Sequence, residues 1–448
     1  MKRFIKKLLP PQVVELYHLA LAYGGALWYR LPSKKLFVIG ITGTKGKSTT
    51  SELVAAVLKE AGYPVAVAST IHFTIGEKTE PNLFKMTMPG RAYLQKFMRE
   101  AADAGCTHAV IEMTSEGARQ WRHKGILLDA LVFTNLQPEH IESHGSLENY
   151  ARAKLLLAQS LADSPKRPRI IAANVDDAYG AKFLETPVEI RAPFSLSDAD
   201  PYNVSDTEVR FLYKPARPNS GKDELFTVPL PGLFNLRNIL GVLALGEAMH
   251  IPLATMKRAL ENITPIAGRA ERIERGQNFS VIVDYAHTPD SLKALIEAYI
   301  QPFDASRNNS TKNRRIICIL GSTGGGRDQW KRPLMGKIAD ELCDSVYLTN
   351  EDPYDEDPQK IVAAIAAGFT TQTPHTILDR REAIRAALKE AQAFSENPTL
   401  RQTQGDSNVV VLITGKGTDP YIMGPSGSKQ AWSDKKVAEE ELNNLLEQ

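Results

Sequence analysis

The residues best equipped for chemistry lie in one stretch, GITGTKGKSTT, from Gly40 to Thr50. Glycine recurs at every third position, Gly40, Gly43 and Gly46, which lets successive backbone N–H groups turn toward an anion. A lysine and two hydroxyls follow. Lys47 can neutralise β- and γ-phosphates, and the Ser48 or Thr49 hydroxyl can ligate Mg²⁺. The strict phosphate-loop pattern has glycine where Ile41 stands, so this is a G-x-x-G-x-x-G-K-S variant. Gly43, Thr44, Lys45, Gly46, Lys47, Ser48 and Thr49 are therefore expected to cradle ATP. Further along, Glu112 ends the apolar run HAVIEM, and His140 follows Glu139 in TNLQPEH. Strand ends of a parallel sheet face the ligand crevice, where an acid and an imidazole can hold a metal near the phosphates.

These groups need elements to carry them. The apolar run LFVIGI precedes the loop, and the spacing predicts a helix from about Ser48 to Ala61. PVAVAST, HAVIEM, ALVFTN and RIIAANV follow with helical periods between them, the mark of a mainly parallel sheet with crossover helices. The segment from about Phe194 to Val228 reads as polar and irregular, with a helical stretch from Asn235 to Ala248 after it. After Ile266 the alternation restarts with FSVIVDYA, RIICILG, SVYLTN and VVVLITG. The fold class is thus α/β: a short N-terminal helical segment (1–35), a central P-loop ATPase domain with a mainly parallel sheet (36–265), and a C-terminal Rossmann-like α/β domain (266–448). Asp304–Arg314 and Ser395–Ser407 read as surface loops.

Composition excludes several classes. With 54 Lys plus Arg against 52 Asp plus Glu, the net charge of +2 gives no support to a nucleic-acid binder. The three cysteines, Cys106, Cys318 and Cys343, show no metal-ligand spacing, which points to a reducing cytoplasm without structural disulfides. The front segment has basic residues at both ends and an apolar middle. It lacks a cleavage site for a signal peptide, and Glu15, His18 and Gly24-Gly25 interrupt the ~20 apolar residues that a spanning helix needs. It is expected to pack on the main body or to make peripheral contact with an anionic membrane.

From about Phe37 to the C-terminus the chain resembles the Mur ligase family, most of all its MurE type, the UDP-N-acetylmuramoyl-dipeptide:amino-acid ligases. The resemblance rests on GTKGKST, TNLQPEHIESHGSLENYARAK, PGLFNLRN, GRAE, DYAHTPDSL, GSTGGGRDQWKRPLMG and ITGKGTDPY, all in the order of that type. It implies an ATP- and Mg²⁺-dependent amide ligase acting through an acyl phosphate. Ser48, Glu112 and His140 would support Mg²⁺, and Lys154 would be the lysine that relatives carbamylate. Asn235 and Asn238 would lie near adenine, Arg269 on phosphate, Asp284 on ribose, and His287 close by.

The resemblance also assigns substrate residues. Thr87 in TMP, and Thr114, Gln120 and Arg122 in EMTSEGARQWR, would meet the muramoyl-peptide carboxylate; Glu116 replaces the usual His. Arg327 would hold the amino acid's carboxylate. TNEDPY puts Tyr354 where an arginine reads diaminopimelate, and Gly415 and Asp419 stand in GKGTD for GKGHE. Glu351, Asp352 and Asp419 without that arginine suit a side-chain ammonium, so lysine is favoured over diaminopimelate; a solvated acidic loop is the plain alternative. The family's UDP-gripping N-terminal domain has no counterpart in the first 35 residues, which leaves the acceptor's carrier open. The partners implied are a UDP-muramoyl-dipeptide-like substrate and an amino acid, for a monomeric enzyme. The competing readings are a folylpolyglutamate synthetase-like ligase and a non-catalytic nucleotide-binding relative.

Overall fold

The structure is a computed structural model that describes residues 11–90, 92–215, 223–300, 314–396 and 409–447. The chain divides into two compact units. Met1–Asp200, Leu212–Phe226 and Leu236–Ile263 form the first, and Pro201–Phe211, Thr227–Asn235 and Thr264–Gln448 form the second.

The first unit is built on an eight-stranded sheet. In chain order its strands are β1 (Phe37–Thr42), β2 (Val65–Ala68), β3 (His72–Ile75), β4 (Lys78–Pro81), β5 (His108–Glu112), β6 (Ala130–Phe133), β7 (Ile170–Asn174) and β8 (Ile190–Phe194). Their spatial order is β4-β3-β2-β5-β1-β6-β7-β8. β2, β5, β1, β6, β7 and β8 run parallel, and β3 and β4 close one edge as antiparallel strands. The central strands are buried throughout, which explains why they read as unbroken apolar runs. The edge strand β4 is exposed at every position, and its Lys78–Glu80 pair and Pro81 discourage further strand pairing. From β1 the chain first builds to one side, through β2 and β5, and then crosses to β6 on the other. That reversal opens a crevice at the carboxyl ends of β5, β1 and β6.

The expectation of an irregular Phe194–Val228 needs correction. β9 (Ala199–Val204), β10 (Val209–Tyr213) and β11 (Glu224–Val228) form a three-stranded sheet, ordered β11-β10-β9. β10 buries alternate residues, Val209, Phe211 and Tyr213, whereas β9 buries only its ends, Ala199 and Val204, around the exposed Asp200, Pro201 and Asn203, so no unbroken apolar run marks the segment.

The second unit carries β12 (Glu271–Ile273), β13 (Ser280–Asp284), β14 (Arg315–Leu320), β15 (Ser345–Leu348), β16 (His375–Thr376) and β17 (Val409–Thr414). The order is β12-β13-β17-β14-β15-β16, parallel except for β12. Separate apolar clusters cover its two faces, one around Leu292, Ile296 and Met335, the other around Ile384, Leu388 and Leu442. The expected loops at 304–314 and 395–407 fall almost wholly outside the described residues. No helix among the described residues is long and apolar enough to cross a membrane.

Candidate active site

The register of β1 sets Ile41 beside Glu112 of β5 and Thr42 beside Phe133 of β6, so the loop after β1 leaves the sheet between the other two strand ends. Gly43 has φ 149° and Gly46 φ 81°. A Cβ on Gly43 would lie 1.9 Å from Thr134 Oγ1, and one on Gly46 2.2 Å from Asn238 Oδ1, so both positions exclude a side chain by space as well as by backbone angle. Gly46 caps the helix Lys47–Glu60, whose first-turn residues Ser48, Thr49 and Thr50 are buried. The helix thus presents its positive N-terminal end at the loop.

The segment after β6 braces this loop. Asn135 O accepts from Thr44 N at 2.8 Å, Asn135 Oδ1 accepts from Lys45 N at 2.9 Å, and Thr134 Oγ1 donates to Lys45 O at 2.7 Å. The Lys45 ammonium lies 2.9 Å from Glu139 Oε1, and the Thr44 hydroxyl 3.1 Å from the Tyr150 hydroxyl. Thr134, Asn135 and Tyr150 carry this geometry, yet the sequence suggested no role for them. Their signal was the TNL and Y of the segment shared with relatives.

Two lysines converge on one carbonyl. Lys47 Nζ donates to Gly43 O at 3.0 Å and to Thr44 O at 2.8 Å, and Lys154 Nζ donates to the same Gly43 O at 2.6 Å. Lys154 is 1% exposed and lies 4.7 Å from the centre of the Tyr150 ring. It sits on the buried stripe of the helix Leu147–Ala162, with Tyr150, Leu157 and Leu161. Burial, then the neighbouring Lys47 charge, hold its amine well below the ordinary lysine pKa.

Glu112 is fully buried at the end of β5. Its Oε1 accepts from Thr70 N and its Oε2 from Thr70 Oγ1, both at 2.9 Å; that hydroxyl meets Thr87 Oγ1 at 2.8 Å. His140 has φ 56° at the start of the helix Ile141–His144, its ring 6.3 Å from that of Tyr150. Among the described residues, no three His, Cys, Asp or Glu side chains gather as a cage for a metal. Mg²⁺ arriving with nucleotide would need no such cage, since that ion keeps phosphate oxygens and waters among its ligands.

On the same unit, Glu116 acquires the role that the sequence left unread. Its Oε1 accepts from Gln120 Nε2 at 2.6 Å and from Arg119 Nη2 at 3.0 Å. Gln120 Oε1 in turn accepts from Arg122 Nη2 at 2.7 Å, while Arg122 Nη1 donates to Met88 O. Burial raises the Glu116 pKa, but these donors outweigh it and leave the group below its ordinary value. Thr114 caps the short helix Ser115–Arg119 by accepting from Gly117 N at 3.0 Å.

In the second unit the expected residues gather at the carboxyl ends of β13, β17, β14 and β15. Asp284 accepts from Ala270 N at 2.6 Å and Ala286 N at 2.7 Å. Arg269 stacks on the Tyr285 ring at 4.7 Å, and His287 Nδ1 meets Tyr285 O at 2.6 Å. Asn235 Nδ2 donates to Pro231 O at 2.8 Å, whereas Asn238, a helical turn on, packs at Gly46 of the first unit. Arg327 lies over the Tyr354 ring at 5.2 Å.

The acidic run is not a solvated loop at its start. Glu351 and Asp352 are 3% and 4% exposed. Nor are its acids free to meet a substrate ammonium as a group, because the buried Lys416 lies 2.8 Å from Asp352 Oδ1 and 3.5 Å from Asp419 Oδ2. Glu351 differs from them. Its Oε1 accepts from Thr323 Oγ1 at 2.7 Å, but its Oε2 is buried without a hydrogen-bond partner and faces Gly415, where a Cβ would lie 2.4 Å away. Burial is the main reason its pKa is raised.

Comparison with known proteins accords with this geometry. Residues 41–246 match the Mur ligase middle domain and residues 268–417 the Mur ligase glutamate ligase domain. A UDP-N-acetylmuramoyl-L-alanyl-D-glutamate--2,6-diaminopimelate ligase of Geobacillus thermodenitrificans (strain NG80-2) is 34% identical over 409 residues, 90% of this chain and 78% of the relative. A UDP-N-acetylmuramyl-tripeptide synthetase of Roseiflexus sp. (strain RS-1) is 35% identical over 423 residues, 90% of this chain and 78% of the relative. A solved UDP-N-acetylmuramoyl-L-alanyl-D-glutamate--2,6-diaminopimelate ligase matches with TM-score 0.59 and 26% identity over 95% of this chain and 83% of its own. Mycobacterium tuberculosis folylpolyglutamate synthase, at TM-score 0.69 and 18% identity over 90% and 93%, shares the fold. The chain belongs to the Mur ligase family and is an ATP-dependent ligase of peptidoglycan precursor synthesis, similar to the MurE type.

Proposed function

We propose that the chain joins an amino acid to a UDP-N-acetylmuramoyl-dipeptide-like carboxylate, with ATP cleaved to ADP and phosphate. The observation that carries the reading is the convergence of Lys47 and Lys154 on the Gly43 carbonyl, at a helix N-terminus and between two strand ends of a parallel sheet. Those strand ends also supply Glu112 and the braces from Thr134 and Asn135. Such a site stabilises negative charge that builds up during phosphoryl transfer. The acceptor carboxylate attacks the γ-phosphorus, ADP leaves, and the acyl phosphate is then attacked by the amine, releasing phosphate. No protein nucleophile is needed.

Each group has its part. Lys47 leaves its two carbonyls and pairs with phosphate oxygens, and Gly46, Lys47 and Ser48 at the head of the helix contribute backbone N–H groups. Ser48, Glu112 and His140 would hold Mg²⁺, which offsets phosphate charge when bound. Lys154, if carbamylated, would keep an N–H for Gly43 O and would add an anionic oxygen suited to holding that ion. Thr87, Gln120 and Arg122 orient the acceptor. In the second unit Asn235, Arg269, Asp284 and His287 are the groups suited to nucleotide, and Arg327 takes the amino acid's carboxylate.

Glu351 Oε2 is the acceptor left for an N–H of the incoming amino acid, whose α-amine or side-chain ammonium would fill its missing bond. With Asp352 and Asp419 facing Lys416, the preference for lysine over diaminopimelate rests on this one carboxyl and on Tyr354.

The test is ADP release with Mg·ATP, UDP-N-acetylmuramoyl-L-Ala-D-Glu and each of L-lysine, meso-diaminopimelate and L-ornithine, with folate plus glutamate alongside. Release that requires the dipeptide and one amino acid supports the reading. Release with folate and glutamate alone overturns it in favour of the folylpolyglutamate class, and ATP binding without turnover in any arm favours a non-catalytic relative.

A further inference from the structure

The helix Pro11–Trp28 has two unlike faces. His18, Ala22 and Ala26 are buried, and a Cβ on Gly125 would lie 2.7 Å from Ala26 Cβ and 3.4 Å from Ala22 O. Small side chains thus let this face lie close against Gly125 within the first unit. At about 100° per residue, the opposite arc collects Val13, Leu16, Tyr17, Leu21, Leu27 and Trp28. Their exposures run from 38% for Leu21 to 82% for Trp28, and no Asp, Glu, Lys or Arg falls on that arc.

The sequence flanking this apolar arc is basic. Residues 1–35 hold seven Lys or Arg and one acid, Glu15, a formal +6, whereas residues 36–448 hold 47 basic and 51 acidic residues. Arg30, Lys34 and Lys35 follow the helix directly and are exposed. An uncharged apolar face carrying Tyr and Trp and bordered by cations fits one kind of surface: anionic headgroups above an acyl boundary. The helix does not qualify as a span, and its small-residue face is already occupied, so it would lie flat with only the outward arc immersed.

We propose that the outward face of the helix Pro11–Trp28, together with Arg30, Lys34 and Lys35, docks this enzyme on an anionic phospholipid surface. The apolar side chains supply the immersion, and each cation near such a surface strengthens binding about fivefold. Synthesis would then occur beside a bilayer. The inference does not rest on the ligase reading, because it concerns a helix outside the catalytic residues.

The experiment is co-sedimentation of the full chain with vesicles of phosphatidylcholine alone or mixed with phosphatidylglycerol, at low and high salt, with Trp28 fluorescence followed in parallel. Binding is expected to be at least ~10-fold stronger on the anionic vesicles, to weaken as salt screens the cations, and to shift the fluorescence to the blue. L16S/L27S/W28S changes only exposed side chains; it should melt and release ADP like the parent while losing vesicle affinity by roughly 100-fold or more. K34E/K35E should lose at least ~10-fold on anionic vesicles and nothing on neutral ones. Equal binding to both vesicle types, no binding, or full binding by the triple variant overturns the proposal. So does sedimentation velocity showing a dimer of the parent that the triple variant dissolves, since a second copy would then be the occupant.

Discussion

Replacing Lys154 by alanine tests the most unusual group in the site. The amine is 1% exposed, bonded to Gly43 O at 2.6 Å, and shares that oxygen with Lys47. A lysine of ordinary pKa is neutral only about once in 10³ molecules at pH 7.5. Burial and the Lys47 charge lower the Lys154 value well below 10.5, so the neutral amine that captures CO₂ is far more abundant. If the carbamate stabilises charge in phosphoryl transfer, its loss should lower kcat about 10²–10³-fold, as for other preorganised charge stabilisers. Lys154→Ala should lose that activity in ADP release and regain part of it with short-chain carboxylates, and the parent should weaken in CO₂-depleted buffer. Full turnover by the alanine variant, without carboxylate or CO₂, would refute the reasoning. The same shift has a stability signature. Between the lowered folded pKa and 10.5 the unfolded chain binds the extra proton, so stability rises with pH across that window and levels off at its lower value beneath it. Lys154→Met should remove this slope, which thermal melts at several pH values would show.

Other substitutions test separate parts of the argument. Gly46→Ala combines φ 81° with a Cβ 2.2 Å from Asn238 Oδ1, so it should cost at least ~1–2 kcal/mol by chemical denaturation and weaken nucleotide binding ~10-fold or more by calorimetry. Asp434→Ala should destabilise by about 3–5 kcal/mol, because it strands Arg380, 1% exposed at its side chain and held by Asp434 through two bonds of 2.8 Å. Glu116→Ala frees Gln120 and through it Arg122; KM for the acceptor should rise several-fold with kcat less changed, and equal kinetics would remove Glu116 from acceptor positioning. Glu351→Gln should raise KM for the amino acid without altering ATP affinity, and the opposite pattern would place Glu351 on the nucleotide.

The sequence made the parallel sheets legible because their strands are buried on both faces and flanked by helical periods. It did not reveal that β5 inserts between β2 and β1, or β17 between β13 and β14, since crossover direction is settled by packing across the whole sheet. It missed β9 to β11 because exposed residues such as Asp200, Asn203, Arg210 and Leu225 interrupt the buried ones and leave no continuous apolar run. Within the site, the phosphate-loop pattern was legible from the glycine spacing together with Lys47, Ser48 and the strand and helix on either side. Lys154 was found through resemblance, yet a local signal existed: it occupies the stripe of Tyr150, Leu157 and Leu161, where an uncompensated lysine is costly. The chain from Glu116 through Gln120 to Arg122 was spelled out within seven residues, but its direction depends on side-chain rotamers that sequence does not encode.

Charge counting misled most where the partner was distant. Glu351, Asp352 and Asp419 looked like an acidic field because the cation that answers two of them, Lys416, is 64 residues from Asp352. The strand order explains the meeting: β17 ends beside β14, β14 beside β15, and the loops that follow β15 and β17 therefore share one edge of the sheet. Asp352 also accepts from Met423 N at 2.8 Å, so its charge serves to join two loops. What remains for recognition is a buried carboxyl oxygen with no partner, on a residue whose neutral form burial favours. A bound ammonium would reverse that preference by pairing with the carboxylate, so amino-acid binding should lower the Glu351 pKa and release protons. Titration in two buffers of different ionisation enthalpy, repeated at falling pH until the carboxyl is protonated, should then give diverging apparent heats, and identical heats throughout would mean that the amino group is held elsewhere.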